Sequence, residues 1–205
     1  MRNLVYLFFF VAFCASAQTK MNLEQENSLR KLVKSRANAT KTISSDFTQY
    51  KHLNVLNNDV ISTGKLNFKN PDLVKWEYLK PNSFSIVFKG EKLFINENGK
   101  KKNMNLSGNK RLRQMNKLMV GSIKGDMFDS EEFKVEYFKN NKRSEAHFTP
   151  KDKKFARMIQ TFVLVFTKTG DVAEVKMIEP SGDYTKLVFS DTVFNSTISD
   201  SVFAN

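Results

Sequence analysis

Cysteine is all but missing from this chain of 205 residues, with Cys14 the one instance. A small extracellular fold stapled by disulfides is therefore excluded. Histidine occurs only as His52 and His147, neither with a second ligand at metal spacing, so no zinc or other soft-metal centre is expected. There is no Gly-x-Ser-x-Gly elbow, no glycine-rich phosphate loop and no dinucleotide fingerprint. Glu131-Glu132 is an adjacent pair whose members would leave opposite faces of a strand, which does not suit shared acid–base work. The expectation is a non-enzyme that needs no cofactor. Repeats, linkers and low-complexity segments are also lacking.

One apolar run is present, and it lies at the start. Met1 and Arg2 precede Leu4 to Phe13, and Ala15-Ser16-Ala17 supplies small residues for a signal peptidase, with cleavage before Gln18. The run is short for a membrane-spanning helix. Lipidation at Cys14 is the competing reading, but Phe13 stands where such a signal wants Gly or Ala. Residues 1–17 are thus expected to be a signal peptide, and residues 18–205 a single domain large enough to bury a core.

Positive charge dominates, with 33 Lys and Arg against 21 Asp and Glu. The excess favours anionic surfaces. Two readings remain: scattered lysines that solvate the surface, or contact with lipid headgroups or an acidic protein face. An export signal leads away from the cytoplasm, so nucleic acid is not an expected partner.

Periodicity divides the chain. Met21 to about Ala39 reads as a helix with Asn22 as N-cap and Gln25 three residues on, and Leu29, Leu32, Val33 and Arg36 on one face. From Ile43 the period becomes two. Strands are expected over Ile43–Lys51, Asp59–Lys69, Leu73–Leu79, Ser83–Lys89, Lys92–Glu97 and Lys100–Asn105, separated by short turns. A second amphipathic helix runs from Lys110 to about Ile123, with Leu112, Met115, Leu118, Met119 and Ile123 on one face. Strands resume over Phe133–Lys139, Arg143–Thr149, Thr161–Lys168, Val172–Glu179 and Tyr184–Asp191, and the tail from Phe194 is expected to pack back across an edge. An antiparallel sheet of about eleven strands must curl, and amphipathic helices need an apolar surface. The fold expected is a curved, incompletely closed antiparallel β-barrel with two or three lid helices. Several strands are apolar at adjacent positions, as in Phe84, Ile86 and Phe88 with Val87. That pattern suits either a solid core or a ligand cavity.

The segment Gly64–Pro81 contains Trp76, the only tryptophan, and two prolines, with apolar residues alternating on both sides. It reads as two strands joined at a proline turn. Together with other stretches it resembles the LolA family of periplasmic lipoprotein carriers. Ser45-Asp46-Phe47-Thr48-Gln49 is similar to that family's first-strand motif. Gly64-x-Leu66-x-Phe68-Lys69-x-Pro71, followed by Leu73, Trp76 and the Pro81 turn, is the most specific part. Ile86-Val87-x-x-Gly90-x-x-Leu93-Phe94 resembles the next hairpin, Leu118-Met119 falls where the family has a cavity-covering helix, and Phe189 to Phe203 resembles its closing strand and tail.

The resemblance implies a half-barrel that shields lipoprotein acyl chains between the inner and outer membranes. It would be a monomer served by an inner-membrane exporter and an outer-membrane acceptor, with transient contact to membrane surfaces. It implies a lipid-binding set of Leu66, Phe68, Val74, Trp76, Tyr78, Ile86 and Phe88 on the strands. Leu29, Leu32 and Val33 would belong to a first lid helix, and Leu118, Met119 and Ile123 to a second. Asn70 departs from the family's lid-locking arginine, leaving Lys69 or Asn70 itself as the latch. A carrier or sensor of another amphiphile, such as a glycolipid or polyene lipid, is the alternative.

Overall fold

The computed structural model describes residues 18–108, 110–129, 131–140 and 143–204. The expected signal peptide, with Cys14, lies outside the described residues. Strand β1 (Thr19–Lys20) leads into helix α1 (Leu23–Asn38). The meander β2 (Thr42–His52), β3 (Val60–Lys69), β4 (Leu73–Lys80), β5 (Phe84–Lys89), β6 (Lys92–Glu97) and β7 (Lys100–Asn105) follows. Helix α2 (Lys110–Lys124) and a 3-10 turn (Asp126–Asp129) separate it from β8 (Phe133–Lys139) and β9 (Ser144–Pro150). A short α3 (Lys153–Ala156), β10 (Thr161–Phe166), β11 (Val172–Ile178), β12 (Tyr184–Phe194) and a final 3-10 turn (Asp200–Phe203) complete the chain.

The strands form one twelve-stranded sheet in the order β1-β8-β9-β10-β11-β12-β2-β3-β4-β5-β6-β7. Every neighbouring pair is antiparallel. The sheet is curved and not closed, with β1 and β7 at its edges. The count exceeds the expected eleven by β1, whose two residues are too few to show a period of two. β12 also runs past its expected end at Asp191: a bulge between Ser190 and Val193, with Asp191 at φ 49°, lets pairing resume on β2.

Helix α1 begins as its cap residues require. Asn22 Oδ1 accepts from the Gln25 N–H at 2.9 Å, and Gln25 Oε1 accepts from the Asn22 N–H at 3.2 Å, a reciprocal box. Leu29 and Val33 are its buried face. α2 ends at Gly125, whose φ of 69° few other residues tolerate. A Cβ there would lie 3.6 Å from Ala37 Cβ, so the end of α2 meets the side of α1.

The adjacent apolar positions of β5 and β6 have a structural reason. Their inner side chains join the main core, while Val87 on the opposite face is fully buried under the tail residues Ile198 and Phe203. The tail thus covers the back of β4–β6 rather than an edge, with Leu73, Phe94 and Val202 around it. Asn195 anchors it, accepting from the Lys41 N–H and donating to Ala39 O.

Candidate functional site

The main core is not packed uniformly. Between the inner face of β2–β6 and β10–β12 and the two long helices lies a cavity of about 410 Å³. Its wall is mainly apolar, and the sheet supplies the large side chains, among them Trp76, Phe88 and Phe189. The helices supply mostly smaller ones, Val33 and Ala37 from α1 and Ser122 and Ile123 from α2, with Arg36 of α1 the long exception.

The aromatic wall is built around Gly64. A Cβ at that position would stand 2.2 Å from Glu77 O and 2.5 Å from Phe47 Cζ, so only glycine admits both the β4 backbone and the Phe47 ring. Phe47 in turn meets Trp76 and Tyr78 edge-on at 5.3 and 5.1 Å, and Tyr78 stacks on Phe84 at 4.3 Å. The Tyr78 hydroxyl donates to Gln49 Oε1 at 2.8 Å, and burial holds its pKa above the ordinary phenol value of 10.0. Trp76 Nε1 is buried without a hydrogen-bond acceptor, a defect that costs about 1–3 kcal/mol in a packed interior.

Seven of the thirteen residues expected to bind lipid line this cavity: Val33, Leu66, Trp76, Tyr78, Ile86, Phe88 and Ile123. Leu29, Phe68, Val74 and Leu118 are buried in the surrounding core instead. Leu32 is 40% exposed and lies over Gly170, its Cγ 3.0 Å from where a Cβ would stand. The side chain of Met119 lies outside the described residues, as do those of Leu112 and Met115. The strands β11 and β12 were not among the expected contributors, yet Val172, Val175, Met177, Leu187 and Phe189 all line the hollow.

Lys69 and Asn70 are not among the lining residues. Lys69 leaves the sheet on the face opposite Phe68. Its Nζ donates to Ile198 O at 3.1 Å and to Asp200 Oδ1 at 2.6 Å, which lowers the Asp200 pKa below its ordinary 3.8. It fastens the tail. Asn70 is exposed, with its backbone N–H on Lys41 O. The tie on α1 comes instead from Arg36, which shares the helix face of Leu29 and Val33. Its Nε donates to Asp171 Oδ1 at 2.5 Å in the β10–β11 turn, and its guanidinium lies 4.2 Å over the Phe194 ring. Both ends of this ion pair line the cavity.

Among the described residues no cluster of His, Cys, Asp or Glu is arranged to hold a metal, and no helix is long and apolar enough to cross a membrane. The model of the family described as "Outer membrane lipoprotein carrier protein LolA" matches residues 38–205. The chain belongs to the LolA family. Two solved structures share the fold. A Pseudomonas aeruginosa MucA/MucB complex contains a chain that aligns with TM-score 0.53 at 10% identity, over 87% of this chain and 61% of that one. A domain described as outer membrane lipoprotein-sorting, from Vibrio parahaemolyticus, aligns at 0.50 and 12% identity, over 89% and 97%. A LolA superfamily protein from Nitrosomonas europaea aligns at 0.49 and 12%, over 87% and 97%. No curated protein matches the sequence. LolA-like family members are carrier and binding proteins.

Proposed function

We propose that this chain is a periplasmic carrier that encloses the acyl chains of lipoproteins and takes them from the inner to the outer membrane. Residues 1–17 would be its export signal and residues 18–205 the single working domain. An inner-membrane exporter would load it and an outer-membrane acceptor would unload it, with the protein acting as a monomer, without cofactor and without catalysis.

The observation that carries this reading is the apolar hollow. Its wall is mainly apolar, and apolar surface lining a space of about 410 Å³ stays unfavourably hydrated until something apolar covers it. Such a hollow suits an apolar guest. Each acyl methylene moved into it gains roughly 0.8 kcal/mol. Release requires that this gain be offset where the guest is unloaded and that the helices part at small cost. The Arg36–Asp171 pair suits this need, since a partly exposed ion pair is worth only about 0–1 kcal/mol and parts easily.

Asn70 supports a second reading. It lacks the charge of the lid-locking arginine that the family resemblance implies at this place. A carrier of another amphiphile, released by a different route, would have no need of that arginine.

The test is native mass spectrometry of the purified protein, with titration of a diacylated lipopeptide followed by Trp76 fluorescence. A copurifying lipid mass, or saturable binding with a shifted tryptophan spectrum, is expected. Absence of any lipid together with absence of lipopeptide binding would sink the proposal, and a bound glycolipid or polyene would select the second reading.

A further inference from the structure

Nine large apolar side chains stand exposed among the described residues, and five of them gather at one end of the sheet: Val55, Leu56, Val60, Ile61 and Leu79. That end holds the β2–β3 connection, residues 53–59, and the β11–β12 turn, residues 179–183. Val55 is 89% exposed. Such a concentration on one tip is unlike singly scattered surface residues and marks a contact site.

Part of the polar chemistry of the same tip is taken up within the chain. The Asn54 N–H donates to Asp183 Oδ1 at 2.8 Å, and Asn54 Nδ2 donates to Ser181 O at 2.6 Å, so the two turns brace each other. His52 Nδ1 lies 2.9 Å from Asp59 Oδ1. Of the three acids in these turns, Asp59 and Asp183 are thus held by the chain itself, and Glu179 is the third. The cations face out beside aromatic rings. Lys176 Nζ lies 4.0 Å from the Tyr184 ring centre, and Lys186 Nζ 4.7 Å from that of Tyr50. Lys176, Lys186, Tyr50 and Ile61 form one cross-strand row.

From this juxtaposition we infer that the β2–β3 end docks on a bilayer surface bearing anionic headgroups. Val55, Leu56 and Ile61 enter the boundary between headgroups and acyl chains, the tyrosines lie at headgroup level, and the lysines meet phosphates. An acidic protein face would satisfy the lysines but leave Val55 in water. A fluid anionic surface satisfies both, and the net charge of +12 draws the chain to it. Gln49, Tyr78 and Met177, which line the cavity, are carried by strands that end at this tip, so docking presents that end of the hollow to the membrane. The inference deepens the carrier reading and rests on it only for the purpose of docking.

The experiment is co-sedimentation of the full chain with vesicles of phosphatidylcholine alone or mixed with phosphatidylglycerol, with lipopeptide binding measured in parallel. Wild-type protein is expected on the anionic vesicles and is expected to leave them as salt rises. The V55S/L56S/I61S variant is expected to lose about tenfold or more in partitioning. K176Q/K186Q is expected to lose about fivefold per lysine. K41Q/K92Q, at the opposite end of the sheet, is expected to match wild type. Vesicle binding that is absent in wild type, or unchanged in both tip variants, overturns the inference, as does binding of an acidic protein through Lys176 and Lys186 with vesicles ignored. Vesicle binding through this tip with neither copurified lipid nor lipopeptide binding overturns the carrier reading and leaves the docking surface standing.

Discussion

The sheet has two halves made from similar residues and packed in opposite ways. Over β8–β10 the interior is solid. Phe148 is fully buried, with Phe128, Phe133 and Phe162 at 5.8, 6.1 and 6.3 Å, and Phe155 closes the group at 6.4 Å from Phe133. Over β2–β6 and β11–β12 the interior is hollow. The strands carry large side chains in both halves. The difference comes from what lies over them. The 3-10 turn and α3 press Phe128 and Phe155 onto the solid half, whereas α1 and α2 offer Val33, Ala37, Ser122 and Ile123 to the other. The hollow remains where the covering helices add mostly smaller side chains, with Arg36 reaching to Asp171 and Phe162 standing at the border of both regions.

Truncation should expose this difference most strongly. Phe148→Ala removes a ring with neighbours on every side and is expected to cost about 3–5 kcal/mol in urea unfolding. Ile86→Ala enlarges a space that is already open, so its expected cost is about 1–2 kcal/mol, at or below the low end for such changes. Equal losses would mean that the two halves are equally packed.

Enlargement is the converse experiment, and one substitution serves both halves. Ala146, in β9, has no exposed surface and pairs with Tyr137 and Leu164. Ala146→Leu is expected to destabilise by about 1–3 kcal/mol through overpacking. Ala37 faces the hollow from α1, where Leu is also a good helix former. Ala37→Leu is expected to leave the melting temperature close to wild type while reducing the amount of lipopeptide bound at saturation. A destabilisation matching that of Ala146→Leu would show that the hollow has no room for the added atoms.

The tie between α1 and the β10–β11 turn is weaker still. Arg36→Gln or Asp171→Asn is expected to cost about 1 kcal/mol or less, because both side chains keep some contact with water. Ligand exchange, measured by stopped-flow displacement of a bound fluorescent fatty acid, is expected to become faster. Exchange at the wild-type rate in both variants would show that α1 is not the moving part.

Most of the fold was legible because its signals are local. Asn22 and Gln25 announce the start of α1, alternation marks β2 to β4, short turns separate the strands that follow, and Asn70-Pro71 and Lys80-Pro81 mark two of the turns. The strand residues of the site were half legible. Leu66, Trp76, Tyr78, Ile86 and Phe88 share the inner face by parity, but parity does not tell Phe68 and Val74, which meet neighbours, from Phe88, which meets a void. That distinction depends on the helices overhead and their side-chain lengths. Arg36 was visible on the apolar face of α1, but its partner Asp171 is 135 residues away and no local pattern joins them. Lys69 was the reverse case. Its strand parity already directed it away from the lid, and the tail that it holds arrives from the far end of the chain.

The smallest effect is expected at Tyr78, in the wall of the hollow, and it reports on dryness rather than packing. Burial holds its folded pKa above the ordinary 10.0 that the unfolded chain retains. The neutral phenol is therefore favoured by folding. Its contribution is complete below pH 10.0 and is lost as pH rises through the raised folded value, where the anion would have to form beside Phe47 and Phe84. Melting temperature against alkaline pH should thus fall less steeply in Tyr78→Phe than in wild type. A bound acyl chain excludes water from the same wall and should push the ionisation of Tyr78 higher still, seen as delayed phenolate absorbance in the complex. If the phenolate appears at the same pH with and without lipopeptide, the guest does not reach this side of the cavity, and the hollow is occupied from the Arg36 end alone.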